Sequence, residues 1–184
     1  MGIFGGGGEE MNAEETMQKF QQEGYEVRLQ EREAGVKNKV KRKSLWIKVN
    51  KEKIREAVEF LMEISEEYPH FSIISASDEG NEIILNYHFT LGYGKLLEEF
   101  AVTFQVALPK NDLNIKSITN LVPAAIFSER EIREMVGVEF EELADKRHLF
   151  LTKDFPDGVY PWRRDETGVK ETNKLYETWK EGVK

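Results

Sequence analysis

Three carboxylates near the C-terminal end of the sequence are the residues best suited to acid–base chemistry: Glu129, Glu131 and Asp165. A positioned carboxylate can take up and release a proton during hydrolysis. Such an enzyme also needs a nucleophile paired with a histidine, or a convincing set of metal ligands, and the sequence places neither beside these residues. We therefore predict no catalytic residue, and a stand-alone acid–base hydrolase is kept as an alternative interpretation.

Metal chemistry is restricted by the absence of cysteine from the sequence, which leaves His70, His88 and His148 as the nitrogen ligands. Without thiolates the chain cannot hold a cysteine-ligated iron–sulfur cluster or zinc ion. The three histidines show no metal-ligand spacing, and His88 falls on the polar face of a predicted strand, where a lone histidine is usually solvated. We predict neither a metal site nor a bound cofactor, so that any redox centre would belong to another chain.

The charge balance is acidic, with a net charge of -8 and a pI near 5.1. This balance argues against nucleic acid as a partner, because phosphate binding needs a basic field. Residues 37–43 carry five positive charges in seven positions. They could form an anion-binding module, but a solvated loop or edge is favoured because charge blocks usually face water. No apolar run is long enough to cross a bilayer and no secretory signal is present, which predicts a cytoplasmic chain.

The hydrophobic pattern predicts an α+β core domain over residues 12–151, after a flexible glycine-rich leader over residues 1–11. Alternating apolar residues over 82–91 and 99–108 predict a β-hairpin. An amphipathic helix over 51–67, capped by Asn50, is expected to cover the apolar face of an antiparallel or mixed sheet. The remaining predicted elements are a helix from Asn12 to Gly24 and strands over residues 25–32, 45–49 and 71–77.

A short helix is predicted after Pro123. Ser128 and Glu131 have the spacing of a capping box, and Gly137 ends the helix. Surface ion pairs between residues four apart, Glu129 with Arg133 and Arg130 with Glu134, would account for the charges of this helix without any functional role.

The C-terminal tail, residues 152–184, begins with a segment that follows neither helical nor strand periodicity. Prolines and a glycine exclude a continuous helix or central strand there, yet Phe155, Tyr160 and Trp162 are costly to expose to water. The tail either folds back on its own core or lies on another protein. We favour a partner, because tryptophan, tyrosine and arginine dominate interface energetics. Residues 170–183 fit either a docked terminal helix or a loose end.

Two motifs together resemble the signature of the thirty-kilodalton subunit of respiratory complex I: Glu129-Arg-Glu131, Met135 and Gly137-Val138, followed by Asp157-Gly-Val-Tyr-Pro-Trp-Arg-Arg-Asp165. The sequence has Glu134-Met-Val-Gly137 where that family usually has Asp-Met-Phe-Gly, and it lacks the Gly-His-Pro stretch. These departures favour a divergent relative, such as a subunit of a membrane-bound [NiFe] hydrogenase or of a related ferredoxin-linked, ion-pumping complex.

The resemblance implies a non-catalytic structural subunit that docks onto the large catalytic-type subunit and contacts iron–sulfur subunits. Iron–sulfur clusters, and a NiFe centre in a hydrogenase, would lie in those partners. The chain would lie on the cytoplasmic side of the membrane and reach it only through the complex. By the same resemblance the expected partner-interface residues are Glu129, Arg130, Glu131, Tyr160, Trp162, Arg163, Arg164 and Asp165.

Overall fold

The computed structural model describes residues 12–36, 39–95 and 98–169. The predicted leader over residues 1–11, part of the basic stretch, and the predicted terminal helix over residues 170–183 lie outside the described residues. The described helices and strands, in chain order, are α1 (Ala13–Gln22), β1 (Glu26–Ala34), β2 (Val40–Lys48), α2 (Ile54–Ile64), β3 (His70–Asp78), β4 (Glu82–Leu91), β5 (Phe100–Pro109), β6 (Asn114–Lys116), α3 (Ala125–Val136) and β7 (Glu139–Glu141).

Five of the strands form a mixed sheet in the order β1-β2-β5-β4-β3, in which β2 and β5 are parallel and the other neighbours antiparallel. The predicted hairpin is β4 with β5, and its register places Ile83 opposite Leu108 and Tyr87 opposite Phe104. The short strands β6 and β7 pair in parallel beside this sheet. The predicted α+β fold with a mixed sheet is confirmed. Of the predicted extended C-terminal tail, only residues 152–169 lie within the described residues.

The helices cover one face of the sheet, where the alternating apolar residues of β4 and β5 are buried. Phe20 of α1 lies with its ring centroid 5.7 Å from that of Phe104. Leu61 of α2 and Ile132 of α3 are fully buried in the same apolar cluster. Alternate side chains of each strand point to opposite faces of the sheet, so the apolar residues of β4 and β5 share one face. That face needs a cover of helices to keep it from water.

The first two helices begin differently from one another. Asn12 caps α1 as predicted, since its side chain accepts from the Glu15 N–H while Glu15 bonds back to the Asn12 N–H. Asn50 makes no such side-chain bond, and the predicted helix over 51–67 is instead a 3₁₀ turn, Lys51–Lys53, followed by α2. The helical segment therefore starts at residue 51 as predicted, without the predicted Asn50 cap bond, but it ends at Ile64, three residues before the predicted end.

The predicted capping box of the third helix is absent. α3 begins at Ala125, three residues before Ser128, and Ser128 is buried inside the helix. Ala125 is fully buried, and its N–H bonds to the Val122 carbonyl oxygen. Burial of this extra turn therefore sets the helix start, in place of side-chain capping. Gly137 ends the helix as predicted, with φ at 75°, in the left-handed region that glycine adopts without strain.

His88 was predicted to be solvated, but it is half-buried on the face of the sheet opposite the helices. Its ring nitrogens lie 3.0 Å from Ser75 Oγ and 3.1 Å from Thr103 Oγ1. Burial lowers the pKa of His88. The two hydroxyls on neighbouring strands replace the water that the prediction assumed.

Candidate partner interface

Glu129 lies on the inner side of α3 and has no exposed surface. Its Oε1 accepts a 2.7 Å hydrogen bond from the Ile118 N–H, while Oε2 has no partner among the described residues. Burial raises the pKa of Glu129 to about 7, against the opposing effect of its hydrogen bonds. The predicted surface pair with Arg133 is absent, and a substrate has no access to this carboxyl group.

Arg130 and Glu134 hold the segment that follows β7 instead of pairing with each other. Arg130 donates to the carbonyl oxygens of Arg147 and His148, each at 3.0 Å. Glu134 is buried, and its carboxylate accepts from the N–H groups of Leu149 and Phe150 at 3.0 and 2.8 Å. The two predicted surface charges therefore fix residues 147–150 against α3.

The tail closes the C-terminal end of α3. The Trp162 N–H donates to the Met135 carbonyl oxygen at 2.9 Å, and Arg163 Nε donates to the Val136 carbonyl oxygen at 2.7 Å. These bonds satisfy carbonyl groups that have no partner inside a helix end. The Tyr160 ring lies so close to Gly137 that a Cβ there would be 2.5 Å from Tyr160 Cζ. Glycine at this position therefore both ends the helix and admits the tail.

A buried polar contact holds the tail to the ends of the sheet strands. Asp78 is buried at the end of β3 and accepts from Lys110 Nζ and from the Arg164 N–H, each at 2.9 Å. Lys110 also pairs with Asp165, whose carboxylate accepts from the Thr167 N–H. The bond from Lys110 holds the pKa of Asp165 well below its usual range. Burial opposes ionisation of Asp78, but the Arg164 N–H and Lys110 together lower its pKa.

The outer side of α3 and the tail presents large apolar side chains to solvent. Phe127 is 60% exposed, Phe150 64% and Trp162 44%. Phe127 lies one turn before Glu131 on α3. The other two aromatic residues are attached to the same helix through their backbone: the Phe150 N–H bonds to Glu134, and the Trp162 N–H bonds to Met135. We call Phe127, Glu131, Phe150, Trp162 and Arg164 the α3–tail surface.

The eight predicted interface residues fall into three groups. The side chains of four of them bond within the chain: Glu129, Arg130, Arg163 and Asp165. Glu131 and Tyr160 are half-buried, with the Tyr160 ring against Gly137, whereas Trp162 and Arg164 are exposed and bond within the chain through their backbone N–H groups. The motif residues did not indicate which side chains are exposed. Exposed Phe127 and Phe150 were not among the predicted residues, although an aromatic residue directly before the predicted helix start at Ser128 was a usable signal for Phe127. Asp78 and Lys110 were also missed, because nothing in the sequence links them to residue 165.

The four cations in the described part of the basic stretch, residues 39–43, are all paired with carboxylates. Lys39 pairs with Glu33 at 3.0 Å, Lys41 with Glu31 at 3.1 Å, Arg42 with Glu99 at 3.3 Å, and Lys43 with Glu14. The geometry of residues 39–43 favours the edge interpretation over anion binding. Elsewhere in the described ranges, no cluster of three or more histidine or acidic side chains could hold a metal ion.

The sequence profile of the family described as "Respiratory-chain NADH dehydrogenase, 30 Kd subunit" matches residues 47–172. The chain belongs to this family. The match begins at the end of β2 and extends past the tail contacts, so it includes strands β3, β4 and β5 of the sheet and the α3–tail surface, but not β1. The predicted resemblance to the complex I thirty-kilodalton subunit is therefore confirmed.

Curated proteins similar to this chain include hydrogenase subunits. The chain is 37% identical over 134 residues to membrane-bound hydrogenase subunit beta of Pyrococcus furiosus, covering 73% of this chain and 76% of that one. It is 33% identical over 131 residues to formate hydrogenlyase subunit 5 of Escherichia coli, where it covers 70% of this chain and spans 22% of the longer protein. The predicted likeness to the hydrogenase branch is confirmed.

Two solved structures share the fold of this chain. A chain of the membrane-bound sulfane sulfur reductase, an archaeal respiratory membrane complex, aligns over 91% of both chains with a TM-score of 0.67 and 21% identity. The trypsin-resistant fragment of Nqo5 aligns over 73% of this chain and 99% of that one, with a TM-score of 0.54 and 19% identity. Across the part of the chain that the structure describes, no helix is both long and apolar enough to span a bilayer.

Proposed function

We propose that the chain is a non-catalytic structural subunit in the peripheral arm of a membrane-bound, ion-translocating redox complex of the hydrogenase or complex I type. In this proposal the α3–tail surface docks onto the large catalytic-type subunit, on the cytoplasmic side of the membrane. Iron–sulfur clusters, and a NiFe centre in a hydrogenase, belong to partner chains. Membership of the 30 Kd subunit family and the hydrogenase relatives support this assignment.

The observation that carries the docking role is the exposure of Phe127, Phe150 and Trp162 around one helix whose surroundings are held firmly. Exposed apolar patches on a folded protein commonly mark interaction sites. The buried contacts of Asp78, Lys110 and Asp165 keep the tail backbone in place, so little further ordering of residues 160–168 is required on binding. The large aromatic residues of such a surface are the usual hot spots.

The test is to replace the chain in its native complex with the double variant Trp162→Ala/Arg164→Ala and to extract the complex in mild detergent. Loss of two hot-spot side chains should reduce co-purification of the large and iron–sulfur subunits by about 30-fold, since about 2 kcal/mol corresponds to that factor. The matched control is Tyr93→Ala, which removes an aromatic side chain that is 62% exposed on the β4–β5 turn. An intact complex containing the double variant would overturn the docking assignment.

A further inference from the structure

The face of the sheet opposite the helices, which we call the open face, carries two groups of hydrogen-bonded polar side chains. His88 bonds to Ser75 and Thr103, and Asn86 accepts a 3.2 Å hydrogen bond from Gln105. Ile73 on the same face is 45% exposed. The polar groups are satisfied within the sheet, so this face is a preformed surface that needs no rearrangement to meet a partner.

Trp46 lies near the middle of strand β2 on this face, opposite Arg28 in the register. The Arg28 guanidinium lies 5.9 Å from the centre of the Trp46 ring, and the His88 ring meets it edge-on at 6.3 Å. A recess of about 170 Å³ opens beside Trp46 and is lined also by Glu26, Arg28, Lys48 and Gln105. The Glu26 carboxylate in this lining is paired with Lys48. The tryptophan is thus held from two sides and borders the recess on another.

The cations of the open face are not all neutralised. Lys48 pairs with Glu26 at 2.7 Å and Arg42 with Glu99 at 3.3 Å. Arg28 and Arg32 are exposed and have no carboxylate partner within the described parts of the chain. Because the paired register places Arg28 beside Trp46 and Arg32 beside Arg42, this edge has excess positive charge on a chain whose net charge is -8.

We propose that the open face is a second docking surface, at which Arg28, Arg32 and Trp46 bind an acidic segment of a partner protein. Guanidinium groups bind carboxylates through two parallel hydrogen bonds, and tryptophan and arginine are the residue types enriched at interface hot spots. Two free arginines are fewer than the four to eight clustered cations typical of anionic-lipid recognition. The surface goes beyond the docking role proposed for the α3–tail surface and is separate from it.

Photo-crosslinking in the intact complex tests the proposal. Gln30 is exposed on the open face between Arg28 and Arg32, so benzoylphenylalanine at position 30 leaves all three proposed contacts in place. After irradiation of the detergent-extracted complex, mass spectrometry should find a crosslinked peptide that comes from another subunit and is rich in Asp and Glu. No crosslink, or a crosslink only to a peptide without acidic residues, would overturn the proposal.

The crosslink yield is compared between a charge-reversal variant of the open face and a matched control variant. Arg28→Glu/Arg32→Glu should lower the crosslink yield at position 30 at least tenfold, and raising the salt concentration should weaken the native crosslink. The control Lys19→Glu/Lys116→Glu makes the same change in net charge at two exposed lysines without an ion pair in the described ranges, and should keep the yield within twofold. Equal yields from the two double variants would contradict an acidic partner.

A vesicle assay distinguishes a protein partner from a lipid surface. A second crosslinker distinguishes the open face from the α3–tail surface. Purified chain should not float with phosphatidylglycerol vesicles, and flotation that is lost in Arg28→Glu/Arg32→Glu would replace the protein partner with a lipid surface. A crosslinker at position 127 reports the α3–tail surface independently. Crosslinking from 127 without crosslinking from 30 would reject the open face alone, whereas the reverse would reject the α3–tail surface alone.

Discussion

The β4–β5 hairpin and the described part of the tail, residues 152–169, are held in place by different interactions. In the hairpin, a buried apolar residue recurs at every second position along the whole length of both strands. The tail has no regular period, and it is fixed by a few bonds to the end of α3 and to Asp78 and Lys110. Burial that is spread over many residues tolerates changes at the surface, whereas a tail held at a few points depends on each of them.

The largest effect is expected in the hairpin core, from Phe104→Ala. Phe104 is fully buried and packs against Phe20 and Phe89 at ring-centroid distances of 5.7 and 5.8 Å. The cavity left by the ring should lower the free energy of unfolding by about 3–5 kcal/mol. Urea denaturation of the isolated chain measures this free energy of unfolding. A loss below about 1 kcal/mol would mean that the sheet does not depend on the packing of Phe104 against Phe20 and Phe89.

Glu129 provides the next largest effect, which depends on pH. Its pKa is raised from the ordinary 4.5 to about 7 in the folded chain, so the folded state holds a proton over this window and the unfolded state does not. Stability should therefore fall as pH rises from about 4.5 to 7, by an amount on the order of 3 kcal/mol, and remain lower above that window.

Glu129→Gln stays neutral at every pH and keeps an acceptor for the Ile118 N–H. The variant should match the native chain near pH 4.5 and exceed its stability by about 2–3 kcal/mol near pH 8. Urea denaturation at several pH values gives both curves. Parallel curves for the two proteins would assign the pH dependence to other groups.

A smaller and more local effect is expected at the tail contact, from Asp78→Asn. The variant removes the charge that accepts from Lys110 and from the Arg164 N–H, at a cost of about 1–3 kcal/mol. Limited proteolysis should then cut within residues 152–169 faster, while β4 and β5 remain protected from hydrogen exchange. Asp112→Asn, which breaks the more exposed pair with Lys51, should leave the tail unchanged.

This contact should also respond to acid. The pKa values of Asp78 and Asp165 are lower in the folded chain than the ordinary carboxyl value of 3.8. The contact therefore stabilises the fold fully above pH 3.8, and this stabilisation is lost as the pH falls through the pKa values of the folded state. Tail cleavage by an acid-active protease should therefore increase below about pH 3.8 before the hairpin opens.

The same contrast explains what the sequence could predict. Period-two alternation identified β4 and β5, because each buried residue repeats the same signal at every second position. The role of Asp78 arises from residues that are 32 and 86 positions away in the sequence. The Ser128 capping box failed for a related reason, since burial of Ala125 against the core outweighed a local capping signal. Motifs located the α3–tail surface, but only three-dimensional contacts distinguish its internal arginine, Arg163, from its exposed neighbour, Arg164.

The smallest effect on stability should come from Trp162→Ala, and it separates folding from docking. Because the Trp162 side chain is 44% exposed and its hydrogen bond to Met135 uses the backbone N–H, the variant keeps that bond. Because the rest of the residue is covered, urea denaturation of the isolated chain should show a loss of about 1 kcal/mol. A loss above about 2 kcal/mol would mean that the indole stabilises the fold itself. Reduced co-purification of partner subunits could then no longer be attributed to an exposed docking residue.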